Sequence, residues 1–269
     1  MTTLLQVSDA HFGTEQPPVV QALLQLAHAE VPDLVVMSGD ITQRARRHQF
    51  VAARAFVEQL KPAALLAIPG NHDIPLFNLA LRALAPYANY SRCFGENLEP
   101  VFESAHLLVI GVNTTRPHRH KDGELSTHQI ERVTKQLQRA AASQLRIVVV
   151  HQPVLAIRPS DEDNLLDGHR QAVPAWAAAG GDIIMGGHIH LPYVRSLSTT
   201  FGALPRDIWT VQAGTAVSSR IREGITNSVN LIRCDGAQSP RRCTVERWDY
   251  VPTLSRFERH SIQELAFDA

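Results

Sequence analysis

The chain is short of several things, and each shortage excludes a class of protein. Among its 269 residues there are three cysteines, Cys93, Cys234 and Cys243. They are too few and too scattered for a disulfide framework. Cys234 and Cys243 flank a turn, and reduced, partly buried thiols are the simpler expectation. Aromatic residues make up 6%, which suits an Ala/Leu/Val-rich α/β core better than a platform for stacking bases. Neither sign of charge is in surplus, with Lys plus Arg and Asp plus Glu at 26 each. A surface that holds nucleic acid or an anionic membrane needs a basic excess, so the balance argues against both partners. No segment approaches the roughly 18 consecutive apolar residues of a membrane span. The first apolar run leads straight into Asp9 with no basic segment before it. That is unlike a signal peptide, and a cytoplasmic protein is the default expectation.

What is present is an alternation of short apolar runs with longer amphipathic ones. The runs 3–8, 34–38, 64–68, 107–112, 146–150 and 182–186 are short, rich in β-branched residues and followed by polar or Gly punctuation, and they read as buried strands. Between them, Phe50, Ala53, Val57 and Leu60 recur at helical spacing over 46–60, with Thr42 as a candidate N-cap. Ser126 followed by Gln129 marks a capping box ahead of a helix over 127–142. After about residue 192 the runs IWTVQ, NSVNLIRC and RCTVERWDY follow one another without helical stretches, as in an antiparallel meander. The first half predicts a mostly parallel sheet flanked by helices, to which the second half adds strands. No repeat or linker divides the chain, so residues 1–269 read as a single domain that includes the meander and tail.

The polar residues fall at the ends of those strands. Asp9 and His11 follow the first, Gly39-Asp40 the second, and Gly70-Asn71-His72-Asp73 the third. The fifth ends at His151, and the sixth runs into Gly187-His188-Ile189-His190. Ligands of open α/β sheets bind outside the carboxyl ends of the strands, so one rim collects carboxylates, imidazoles and an amide. That is a donor set for divalent transition metals. Asp9 and His11, two residues apart, can face the same side and share one ion. Glycines before Asp40, Asn71 and His188 allow sharp turns into a cleft. Each residue alone has an ordinary explanation as a turn or cap, but together those explanations require a coincidence at every strand end.

This order of motifs, D-x-H, G-D, G-N-H-D, H and G-H-x-H, resembles the calcineurin-like metallophosphoesterase superfamily. Within it the chain looks most like the small bacterial group of cyclic-AMP phosphodiesterases and glycerophosphodiesterases. The resemblance implies a four-layer αββα sandwich of two mixed sheets, with the late meander supplying much of the second. It also implies two divalent transition ions, Mn, Fe, Zn or Co. Asp9, His11 and His190 would hold the first, Asn71, His151 and His188 the second, and Asp40 would bridge them. Water shared by two such cations is acidified into a nucleophile near neutral pH. His72 would contact the phosphate or protonate the leaving alkoxide, with Asp73 orienting it or supporting the turn. The implied reaction is hydrolysis of a phosphodiester, with a cyclic or other small nucleotide as leading substrate. Glycerophosphodiesters, phosphomonoesters or a lipid-linked pyrophosphate are alternatives, and a non-catalytic adaptor of the same fold is the rival of another class.

Other polar stretches carry less. Arg44, closest to Asp40 in sequence, is a candidate substrate contact, whereas Arg46 and Arg47 read as a solvated helix face. The stretch 113–124, with Arg116, His118 and His120, reads as an exposed loop that could edge a substrate cleft, and 160–164 as a solvated acidic connection. Arg220 follows a late strand and has no evident place relative to the metal residues.

Overall fold

A computed structural model of the chain describes residues 1–202, 204–222, 224–235 and 242–267. In chain order the strands are β1 (Thr2–Val7), β2 (Leu34–Ser38), β3 (Leu65–Ile68), β4 (Val101–Glu103), β5 (Leu107–Gly111), β6 (Leu145–Val149), β7 (Ile183–Gly186), β8 (Tyr193–Ser196), β9 (Trp209–Gln212), β10 (Ser228–Asp235), β11 (Arg242–Val251) and β12 (Arg256–Leu265). The helices are α1 (Pro17–Glu30), α2 (Arg47–Leu60), α3 (Leu79–Leu84), α4 (Ala88–Phe94), α5 (Thr127–Arg139), α6 (His169–Ala178) and α7 (Ser198–Phe201). Among the described residues no helix is long and apolar enough to cross a membrane.

Two six-stranded sheets form, in the orders β12-β11-β10-β1-β2-β3 and β4-β5-β6-β7-β9-β8. Both faces of the central strands are covered, which is why their sequences are apolar without interruption. In β1, Leu4 packs between the sheets with Val36, Val109, Ile147 and Met185, while Leu5 and Val7 face the helix side with Leu23, Phe50 and Phe56. In β6, Ile147 and Val149 join the inter-sheet layer, and Val148 meets Val133 of α5 and Trp176 of α6 on the other face. The architecture is the expected αββα sandwich.

The late meander lies elsewhere than expected. β10 pairs antiparallel with β1, placing Leu4 opposite Ile232, and β11 and β12 follow it outward. The meander therefore extends the first sheet, and only β8 and β9 of the late strands enter the second. Short connections keep consecutive antiparallel strands together, so once the chain had crossed to the open edge of β1 the rest followed. Cys234 and Cys243 are buried and opposite one another in that pairing.

Two cap expectations had different outcomes. Ser126 Oγ accepts from Gln129 N at 3.2 Å and Gln129 Oε1 accepts from Ser126 N at 3.0 Å, which starts α5. Thr42, by contrast, does not cap α2, which begins at Arg47 after Arg46. Its hydroxyl is taken up by the loop instead, donating to Asp73 Oδ1 at 2.8 Å and accepting from Ala45 N at 3.1 Å.

A polar seam ties the two sheets together behind the strand ends. Buried Gln6 of β1 donates to Ser38 Oγ at 3.1 Å and to the Gly186 carbonyl of β7 at 3.0 Å. Its own oxygen accepts from Asn230 at 2.9 Å. A fully paired polar contact in an apolar layer fixes relative position in a way dispersion alone does not.

Candidate metal centre

The carboxyl ends of β1, β2, β3, β6 and β7 all open onto one cleft. There the side chains of Asp9, His11 and His190 form one cluster, and those of Asp40, His151 and His188 a second; in each, the donor atoms lie within 4.8 Å of one another. His72 closes a further grouping with His11 and Asp40. The strand ends are held side by side by main-chain bonds, from Asp9 N to the Gly39 carbonyl at 3.1 Å and from His11 N to the Asp40 carbonyl at 3.0 Å.

The backbone adopts a costly shape to present these groups. Asp9, His11, Asp40, His188 and His190 have φ values of 51°, 44°, 48°, 72° and 54°, a left-handed region that side-chain-bearing residues avoid at roughly 1–3 kcal/mol each. Such strain persists only where the surroundings over-determine it, and here it is concentrated on the residues that line the clusters. Of the glycines before them, only Gly39 needs a positive φ, 97°. Gly70 is required for a different reason: a Cβ there would collide with Asp40 and crowd His151.

The ligating atoms of the two clusters face one another across the cleft. His190 Nδ1 meets the Arg220 carbonyl at 2.6 Å, and His151 Nδ1 meets the Ser38 carbonyl at 2.9 Å. A carbonyl only accepts, so both Nδ1 atoms carry the hydrogen and both Nε2 atoms point their lone pairs inward in the neutral ring. His190 Nε2 lies 3.1 Å from His11 Nε2 and 3.3 Å from Asp9 Oδ1. His151 Nε2 lies 3.2 Å from Asn71 Oδ1 and 3.2 Å from Asp40 Oδ1, and His188 Nδ1 is 2.9 Å from Asn71 Oδ1. Carboxylate, amide oxygen and imidazole nitrogen converging at these separations are an acceptor-rich set that fits divalent transition cations.

Electrostatics point the same way. Burial pushes the His11 pKa down to about 3, and burial with His151 alongside does the same to His188; both rings are neutral. Burial also opposes charge on His151, but Asp40 outweighs it and raises that pKa to about 9. His190 is raised in the same way by Asp9. The carboxyls respond in kind. Against the cost of burial, His190 holds Asp9 at about 2, and His151 with His72 holds Asp40 well below the usual carboxylate range. The anionic pockets draw positive charge to the atoms where a cation would bind.

His72 stands at the edge of both clusters. Its main-chain N–H donates to Asp40 Oδ1 at 2.8 Å, and its Nδ1 meets the Gln43 carbonyl at 2.9 Å. Its Nε2 is left facing the cleft, 3.5 Å from Arg220 NH1. Asp73 does not touch the His72 ring. It is buried beneath the turn, accepting from Ile41 N at 3.0 Å, Thr42 N at 2.8 Å and Gly70 N at 2.9 Å as well as from the Thr42 hydroxyl. Burial and the nearby Asp40 carboxylate push its pKa up to about 7. Arg44 lies over the Phe77 ring, 5.5 Å from its centroid, in a depression that also reaches His72 and Lys121.

The main cleft, about 550 Å³, is lined by Asp40, Asn71, His72, His188, His190 and Arg220 and extends to Asp161 and Arg222. Three of its features escape the sequence. Arg220 sits at His72, with NH1 also donating to Gln43 Oε1 at 3.0 Å. Asp161, within the stretch expected to be a solvated connection, is buried and paired with Arg222 at 3.0 Å. In the 113–124 loop, Lys121 reaches the cleft, whereas Arg116 is spent on the Asn113 and Thr115 carbonyls and Gln129. In the sequence Arg220 is marked by nothing more than its place after a late apolar run.

Residues 2–192 match the family model of the calcineurin-like phosphoesterases. A curated protein from Synechococcus, named a probable cyclic nucleotide phosphodiesterase, is 25% identical over 220 residues, covering 74% of this chain and 78% of the relative. Among solved structures, a dimetal phosphatase from Danio rerio superposes with a TM-score of 0.67 at 12% identity, covering 99% of both chains. A purple acid phosphatase from yellow lupin (Lupinus luteus) superposes with a TM-score of 0.70 at 13% identity, covering 98% of this chain and 53% of the lupin chain. This chain thus spans about half the length of the lupin protein, and likenesses at such identities speak for the fold.

Proposed function

The chain belongs to the calcineurin-like phosphoesterase family of metal-dependent phosphoester hydrolases, and from that premise we propose that it cleaves phosphodiesters of small molecules, with cyclic and other small nucleotides as the leading class. One observation carries the reading. Asp40 touches both clusters, with Oδ1 3.2 Å from His151 Nε2 and Oδ2 3.7 Å from His11 Nε2. In this reading Asp9, His11 and His190 hold one divalent transition cation, Asn71, His151 and His188 hold a second, and Asp40 serves both. Bound there, such cations supply neutralisation of phosphate charge and acidification of water. Mn, Fe, Zn and Co all suit the mixed oxygen and nitrogen set.

The chain's own residues supply the rest. His72 keeps its Nδ1–H on the Gln43 carbonyl, so the nitrogen exposed to substrate is always Nε2. As an imidazolium it passes the Nε2 proton to the departing alkoxide oxygen; in the neutral ring the same nitrogen only accepts. Asp73 acts below it, fixing the turn that carries Asn71 and His72. Arg44, beside the connected depression, is a candidate contact for the outer part of the substrate. The cleft volume lies within the range of pockets that take drug-sized ligands, which suits a mononucleotide. The name of the Synechococcus relative supports the same substrate class. The reading takes residues 1–269 as one domain, supported by the pairing of β10 with β1.

A turnover screen of the Mn-loaded protein against cyclic nucleotides, glycerophosphodiesters, aryl diesters and matched monoesters tests this. A diester carries less charge than a monoester dianion and has a leaving group that His72 can protonate, so diester kcat/KM is expected to exceed monoester kcat/KM. The opposite order would replace the diesterase reading with that of a phosphatase.

A further inference from the structure

Arg220 and Arg222 both line the main cleft, yet their charges are treated differently. Arg222 NH1 is bound to the Asp161 carboxylate at 3.0 Å and to the Ile189 carbonyl at 3.1 Å. Its charge is neutralised and its position is tied to the 188–190 turn. Among the described residues no carboxylate lies within ion-pair distance of Arg220. Its NH1 donates to the neutral Gln43 Oε1 at 3.0 Å and stands 3.5 Å from His72 Nε2, a contact at the long limit of a hydrogen bond and a weak one. A guanidinium has five N–H donors in one plane. Here it is half-buried and uncompensated, with its fork largely unspent, at the edge of the group placed to face the leaving oxygen.

We propose that Arg220 is the anion clamp of this site: its guanidinium grips a phosphate oxygen of the substrate beside His72, and Gln43 holds it there. The inference rests on the phosphoesterase reading above. Gln43 makes the arrangement specific, because one residue sets both neighbours. Its main-chain carbonyl takes His72 Nδ1, and its side-chain oxygen takes Arg220 NH1. Arg220 is also anchored from the other direction, since its own carbonyl accepts from His190 Nδ1 at 2.6 Å. The main chain at 220 is therefore tied to one cluster while the side chain reaches the leaving-group side. A planar cation fixed at both ends suits bidentate contact with phosphate, which a point charge on a flexible stem does not reproduce. Gln43 is a positioning residue in this scheme, acting through Arg220.

The test compares wild type, Arg220→Ala, Arg220→Lys, Gln43→Ala and the Gln43/Arg220 double alanine variant, all metal-loaded. Readouts are metal content, calorimetric affinity for inorganic phosphate, and kcat and KM on a diester. Because the Arg220 carbonyl survives substitution, metal content should stay at the wild-type level. Phosphate affinity should fall at least tenfold and diester kcat/KM about a hundredfold in Arg220→Ala, as when one preorganised donor is removed. Added guanidinium should restore part of the loss, and Arg220→Lys should recover less than the full wild-type value. Gln43→Ala should lose less than Arg220→Ala, and the double variant no more than Arg220→Ala alone, since the two act through one contact. Unchanged phosphate affinity with metals retained overturns the proposal, as does a loss that accompanies loss of metal and is not rescued by guanidinium. If phosphate binding depends on Arg220 while no phosphoester is turned over, the clamp stands and the phosphoesterase reading falls.

Discussion

The main-chain carbonyl of Gln43 accepts from His72 Nδ1 at 2.9 Å, and this contact decides which nitrogen of His72 faces the cleft. With Nδ1 occupied by a carbonyl, the ring projects Nε2 into the cleft.

His72→Ala is therefore expected to separate chemistry from metal binding. None of the seven residues proposed as ligands is altered, so metal content should match wild type. The fall in kcat should be about a hundred- to ten-thousand-fold for alkoxide leaving groups. It should shrink for nitrophenolate, which departs without a proton. Equal losses on good and poor leaving groups, with metals in place, would leave His72 as a phosphate contact rather than an acid. Loss of metal would make it a ligand, as its grouping with His11 and Asp40 would allow.

Asp73 calls for a different outcome. Its carboxylate receives three main-chain N–H groups and the Thr42 hydroxyl. In Asp73→Asn one oxygen becomes an NH₂ that must face N–H donors, leaving buried groups unpaired at a cost on the order of 2–3 kcal/mol. Denaturant unfolding should show that loss, while kcat of the folded fraction falls much less than in His72→Ala. A variant as stable as wild type but inactive would give Asp73 a direct part in the reaction.

Much of this site is legible in the sequence because each cluster residue sits at the end of a strand whose apolar run is unmistakable. Asp9, Asp40, Asn71, His151, His188 and His190 are placed by strand ends alone, with no knowledge of which strands pair. Residues whose role depends on a crossover are not legible. Arg220 meets His72 across 148 positions only because the chain returns from β9 to the open edge of β1, and no local pattern encodes that return. The same blindness sent the late meander to the wrong sheet, since its alternation specifies strands but not their neighbours. Thr42 failed as a cap for a related reason. Its hydroxyl had a better partner in Asp73, distant in sequence and adjacent in space.

Cation binding should release protons. In the cation-free protein burial disfavours charge on His151, but Asp40 prevails and its pKa is about 9. At pH 7.5 the Nε2 position therefore carries a proton that a cation must displace. The sign follows: affinity at the Asp40 cluster should keep climbing as pH rises from 7 toward 9, whereas an ordinary imidazole would have levelled off near its usual pKa of about 6.5. Titration calorimetry in two buffers of different ionisation enthalpy, at pH 7.5, reads the proton count directly. No release at that pH would show that Asp40 does not hold His151 in its charged form.

The most direct test of the central claim is to titrate the chelator-stripped protein with Mn²⁺ and follow diester turnover against bound metal per chain. Two clusters sharing Asp40 predict that turnover is negligible when stripped, stays low at one bound ion and saturates at two. Saturation at one ion per chain, or activity that survives complete removal of metal, would contradict it.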